Sequence, residues 1–157
     1  MNGLLYAKRF FLLLSVLWLA GCQISPDRVT PLTSTLPPQT PGISITEPIM
    51  PGVLIHKGKS KAILDAVVRE RLKRKMQVKV RDTYSVTMAL TVPNTTKLTE
   101  AQMVYSLYRY QEGLWLSARV YQIVEPGTVT EKILDVTRRV ETEMQHELNK
   151  IAKQFVR

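Results

Sequence analysis

The sequence predicts an α+β fold: a two-layer sandwich of a helix, a four-stranded antiparallel sheet and a long C-terminal helix, behind a disordered Pro/Thr-rich tether. Three observations carry this expectation. Apolar residues recur at spacings of three and four in 60–75 and again in 130–155, and they alternate with polar ones through much of 76–124. Seven of the nine prolines crowd into residues 23–51. Turn-forming residues stand where the period changes, at Asp82-Thr83, Pro93-Asn94-Thr95-Thr96, Gln111-Glu112-Gly113 and Pro126-Gly127.

The chain begins with a leader. Lys8 and Arg9 form a basic segment, Phe10 to Leu19 is an apolar run, and Ala20-Gly21 supply the small residues that a signal peptidase needs for close backbone approach. The apolar run is well short of the roughly 20 residues of a transmembrane helix. Residues 1–21 are therefore expected to be a signal peptide that is removed. An ordinary secretory signal with an incidental cysteine and an uncleaved inner-membrane anchor are the alternatives these residues leave.

The four residues Leu19-Ala20-Gly21-Cys22 resemble the lipobox of bacterial lipoproteins. The resemblance implies that Leu19, Ala20 and Gly21 are read by the signal peptidase, that cleavage falls before Cys22, and that the Cys22 sulfur carries a diacylglyceryl group. Acylation of the new amine, by palmitate for example, often accompanies it in the family. No other cofactor is expected. Each buried methylene contributes about 0.8 kcal/mol, so two or more acyl chains hold a protein stably on a membrane. Gln23 follows Cys22 where family members retained at the inner membrane tend to carry aspartate. The expected location is thus the periplasmic face of the outer membrane.

Loss of the leader removes two basic residues and no acidic one, so the net charge falls from +9 to +7. Cys22 is the single cysteine, so no internal disulfide can form and stability must come from a packed core. Residues 22–58 read as the lipidated cysteine and a flexible tether, because their prolines, serines and threonines cannot bury enough apolar surface to offset ordering. Extended at roughly 3.1 Å per residue, such a tether would carry a domain well away from the bilayer. Docking of a proline-rich motif on a partner is the other reading of this stretch.

Residues 59–157 are expected to form one compact α+β domain. Ser60 is a helix-cap residue, and Ile63, Leu64, Val67, Val68 and Leu72 mark the inner face of the helix that follows. Residues 76–81 and 84–92 then alternate as two strands, with one long bent strand as the alternative, and 103–110 and 114–124 as two more, with Gly113 expected to supply a positive φ in the hairpin loop. Ile133, Val136, Val140, Met144, Leu148, Ile151 and Phe155 point to a helix over 130–155, about 39 Å long. The order of elements over 61–155 loosely resembles small periplasmic lipoprotein domains in which two helices flank a sheet meander; no catalytic or binding signature comes with that resemblance.

Two surfaces are candidates for contact. On the last two strands one register, Met103, Tyr105, Leu107, Leu114, Leu116, Ala118 and Val120, makes a core face. The opposite register carries Tyr108, Tyr110, Trp115, Arg119 and Tyr121, the residue types enriched in interaction hot spots. Simple cross-strand pairing, or burial beneath the tether, explains the same aromatics. On the first helix Arg69, Arg71, Lys73, Arg74 and Lys75 form a basic patch, which reads either as a solvated helix face or as a surface for anionic envelope partners. Nucleic acid is not an expected partner.

Catalysis is not expected. Glu143, His146 and Glu147 neighbour one another on a helix, yet the second Glu-x-x-His pair of a di-iron site is missing, so no metal site is assigned. His56 stands without a partner motif, and the chain has no phosphate-binding glycine loop and no Gly-x-Ser-x-Gly. The sequence thus favours a membrane-anchored, non-catalytic accessory module that contacts a protein of an envelope complex in secretion, conjugation or outer-membrane assembly. The alternative is a carrier or sensor that holds an amphiphile between helix and sheet. Oligomeric state is not legible.

Overall fold

A computed structural model describes residues 42–156, which lie in one compact unit. In chain order the elements are β1 (Gly52–Ile55), α1 (Ser60–Leu72), β2 (Gln77–Arg81), β3 (Ser85–Thr91), β4 (Thr99–Tyr110), β5 (Gly113–Val124), β6 (Lys132–Asp135) and α2 (Glu141–Ala152). Short 3₁₀ turns, Thr137–Val140 and Lys153–Phe155, flank α2. The sheet is antiparallel with strand order β1-β5-β4-β3-β2, and β6 pairs with β5 as well. The α+β class and the two-layer arrangement stand; the sheet has six strands where four were expected.

The β4–β5 hairpin is the spine. Its strands pair without interruption from Thr99↔Val124 to Tyr110↔Gly113. The expected core register holds: Tyr105, Leu107, Leu116, Ala118 and Val120 are buried with Val86 and Met88 of β3. Onto this face α1 lays Ile63, Leu64 and Val67, and α2 lays Met144, Leu148 and Ile151, each set falling on one face of its helix. The α1 stripe departs from expectation at its end, where Arg71 is buried and Leu72 is exposed. At 3.6 residues per turn, position 71 falls in line with 64 and 67, and 72 lies off that line. The helix closes with Lys75 at φ 61°, whose N–H bonds to the Leu72 carbonyl while that of Met76 bonds to Arg71, a Schellman-type stop.

Two strands come from residues read otherwise in the sequence. The segment 42–55, assigned to the tether, is part of the sheet. Gly42 N–H donates to Leu107 O (2.7 Å), Arg109 N–H to Ile43 O (2.9 Å) and Ile45 N–H to Arg109 O (2.9 Å), filling the edge of β4 beyond the start of β3. The chain then passes over the face bearing Trp115, whose Nε1–H donates to Ile49 O (2.7 Å), and reaches the far edge of β5 as β1. The α2 side chain Gln145 caps the outer edge of β1, accepting from Gly52 N–H (3.0 Å) and donating to Gly52 O (2.8 Å). Residues 22–41 of the expected tether lie outside the described residues.

The helix expected over 130–155 is a correction. Residues Lys132–Asp135 form β6, with Ile133 opposite Ile123, and α2 spans 12 residues, about 18 Å. Polar groups at the junction impose the break: Thr137 N–H takes Asp135 Oδ1 (2.9 Å), and the Thr137 hydroxyl accepts Val120 N–H (3.0 Å). Side chains that compete locally for backbone groups in this way favour turns over helix interiors. The hairpin glycine also acts differently from expectation. Gln111 carries the positive φ, 50°, whereas Gly113 pairs with Tyr110 in the strand. A Cβ at Gly113 would stand 2.7 Å from Ile55 O, so glycine there admits β1 to the edge of β5.

Candidate functional site

Cys22 and the recognition residues Leu19, Ala20 and Gly21 lie outside the described residues, so the domain itself is where geometry bears on function. Among the described residues no helix is long and apolar enough to cross a membrane.

The basic patch is not one surface. Arg71 is 2% exposed, enclosed between α1, α2 and the sheet. Its Nη2 donates to Glu147 Oε2 and contacts Met144 Sδ at 3.7 Å, and its Nε donates to the Tyr105 hydroxyl. The guanidinium also lies 5.4 Å from the centre of the Tyr105 ring, within cation–π range. Arg74 pairs with the other oxygen of Glu147, and Glu70 draws both Lys73 (2.8 Å) and Lys150 (3.6 Å). Arg71, Lys73 and Arg74 are therefore tied to carboxylates, and only Arg69 and Lys75 of the five are exposed with no ion pair among the described residues. Burial pushes the Tyr105 phenol far above its usual range, against the opposing pull of Arg71. The group stays protonated, accepts from Arg71 and lies 3.6 Å from Met103 Sδ. This network is a bolt between the two helices; the space against it measures about 20 Å³, room for a water and no more.

The aromatic register is not an open face either. Tyr108 and Tyr121 are 5% and 3% exposed, and Tyr121 packs with Val104 and Ile123 in a second apolar cluster. Trp115 lies beneath residues 49–52, and a Cβ on Gly52 would stand 2.6 Å from its Cε2. Tyr110 meets Trp115 edge to face, with centroids 5.5 Å apart. Of the five candidates, Tyr110, Trp115 and Arg119 keep partial exposure. Burial beneath the tether is one of the readings the sequence offers for these aromatics; the course of 42–52 across the sheet is not legible there, because that stretch carries no strand period.

Glu143 and His146 are exposed on α2, while Glu147 turns to Arg71 and Arg74. His56 is exposed just after β1. Among the described residues no three His, Cys, Asp or Glu side chains cluster as metal ligands do. The bond the sequence reading missed is Arg71–Glu147. The position of Arg71 in line with Leu64 and Val67 was the available signal, since a cation in an apolar stripe requires a counter-charge on the element facing it.

No protein-family model matches the chain, and no curated protein matches it.

Proposed function

We propose that the protein is a lipid-anchored periplasmic accessory module, held at the outer membrane by acyl chains on Cys22 and engaging a protein of an envelope complex through its α+β domain without catalysis. The observation that carries the proposal is the Leu19-Ala20-Gly21-Cys22 motif directly behind a basic and then apolar leader. Gln23, in place of aspartate, supports the outer membrane.

Packing weighs against the carrier reading. The side chains of α1 and α2 that face the sheet, Ile63, Leu64, Val67, Met144, Leu148 and Ile151, are all nearly inaccessible. A drug-sized ligand needs a pocket of about 300–1,000 Å³; the enclosed space beside Arg71 and Glu147 is about 20 Å³, and the cleft of about 490 Å³ between β1 and α2, beside Val53, Leu54 and His146, opens on the surface. Contact therefore falls to the outer surface, where Tyr110, Trp115 and Arg119 remain partly accessible.

The test is photo-crosslinking in cells, with the crosslinking residue placed at Tyr110 and, for comparison, at the fully exposed Val129. A discrete envelope-protein adduct from Tyr110 that is lost with Cys22→Ala supports the proposal. Adducts from neither position, in a protein shown to be folded and anchored, would overturn it.

A further inference from the structure

β1 and β6 take the same edge of β5 at opposite ends, pairing with residues 114–117 and 121–124 and leaving Ala118, Arg119 and Val120 between them. Three backbone groups at this gap are paired. Ala118 N–H donates to Pro51 O (3.2 Å), Val120 N–H to the Thr137 hydroxyl (3.0 Å), and Val136 N–H to Val120 O (2.9 Å). The gap opens on a cleft of about 440 Å³ whose walls include Met50, Arg119, Asp135, Thr137, Arg138 and Arg139.

The charges that line this cleft are unbalanced. Arg71, Arg74 and Arg81 each hold a carboxylate. A cleft of similar size beside α1 contains Arg81, already joined to Asp65 at 2.6 Å. Arg119, Arg138 and Arg139, by contrast, make no ion pair among the described residues, although Asp135 shares their cleft. Asp135 instead accepts the Thr137 N–H, which holds its carboxylate to the turn. Three guanidinium groups against one carboxylate leave an excess of two positive charges.

The geometry points to this cleft as a binding site for a phosphomonoester. Such a group carries about −1.5 to −2 at neutral pH, which matches the excess, and its oxygens suit the planar fork of arginine. A single carboxylate or a phosphodiester would cancel half of it. Met50, half exposed at the rim, offers apolar contact to the remainder of the ligand. The volume falls in the range of small-molecule sites.

Calorimetric titration of the detergent-solubilised full chain with inorganic phosphate and with dihexanoyl phosphatidic acid tests the site. Saturable binding of at least one is expected. Arg138→Gln and Arg119→Gln should each weaken it about tenfold, while the charge-matched control Arg69→Gln should leave it within about twofold. Arg138 lies exposed on the turn, so its variant keeps the test valid even if Arg119→Gln perturbs the sheet. Tighter binding of phosphatidic acid identifies membrane-borne phosphate as the source, and tighter binding of inorganic phosphate a soluble one; both retain the site. Absence of saturable binding, equal weakening by Arg69→Gln, or equal affinity for dihexanoyl phosphatidylglycerol, a phosphodiester, would overturn it.

Discussion

Removing the carboxylate of Glu147 should be among the most damaging single changes in the domain. Arg71 is 2% exposed and Glu147, with its side chain 16% exposed, neutralises it while also holding Arg74. In Glu147→Leu the Arg71 guanidinium keeps the Tyr105 hydroxyl, which is neutral, and loses its counter-ion. Breaking a buried pair from one side costs about 3–5 kcal/mol. The partial exposure of Glu147 lets water relieve some of that, so about 3 kcal/mol is expected. For a domain of this size that corresponds to a fall in Tm of about 12 °C, at about 4 °C per kcal/mol. The double variant Arg71→Met/Glu147→Leu removes the charge problem together with the pair. It should recover most of the loss, because an apolar replacement of a buried ion pair is often neutral or better. Equilibrium urea unfolding of a chain starting at Cys22 reads this directly, with Trp115 as its one tryptophan. A Glu147→Leu variant within about 0.5 kcal/mol of wild type, or a double variant no more stable than the worse single one, would refute the bolt between helices.

Three further outcomes are expected. The carboxyls of Asp65 (hydrogen-bonded by Arg81), Glu70 (by Lys73) and Glu125 (by Lys97) titrate below their ordinary values of 3.8 for Asp and 4.5 for Glu. For Asp82 burial pulls upward, but the Ser85 hydroxyl and the N–H groups of Tyr84 and Ser85 outweigh it and lower the value. Groups with lowered folded-state values contribute stability that is complete above the unfolded range and lost as pH falls through the folded values. Tm should hold above about pH 5 and drop below pH 4, with a shallower drop in Asp82→Asn; an unchanged slope there would contradict the role of that turn. Gly113→Ala places a methyl 2.7 Å from Ile55 O and should cost about 1–3 kcal/mol by displacing β1, seen as faster hydrogen exchange at residues 52–55. Thr137→Val leaves the buried Val120 N–H without its hydroxyl acceptor and should cost about 1–3 kcal/mol in the same urea assay; a loss below about 0.3 kcal/mol would mean that the turn re-forms around another acceptor.

What could be read from the sequence follows the strength of the local period. The helix from Ser60, the two hairpins and the core register of β4 and β5 are long enough for spacing to decide them, and the structure has them. β1 and β6 escaped because each is four residues at a sheet edge, too short for alternation to show. Ile133 in β6 and Val136 just after it also keep a helical spacing with Val140, which merges the strand with α2 in the sequence pattern. The burial of Arg71, Tyr108 and Tyr121 is not legible for another reason. Composition identified the basic residues of α1 and the aromatics of β4 and β5, but exposure depends on what lies across from them. Glu147, seventy-six residues from Arg71, and the chain at Ile49, sixty-six residues from Trp115, are distant in sequence. The arginine cleft has the same character, since Arg119 meets Arg138 and Arg139 only because β6 folds back on β5.

The proposal that this domain works from a lipid anchor rests on one atom, the sulfur of Cys22. Cells producing the protein are fed radiolabelled palmitate, and the purified wild-type chain is compared with Cys22→Ala on a denaturing gel. The expected result is label on the wild type together with a mobility shift on maturation, and neither in the variant. Label that persists in Cys22→Ala, or a wild type that matures without acquiring any, would contradict the anchor and everything placed upon it.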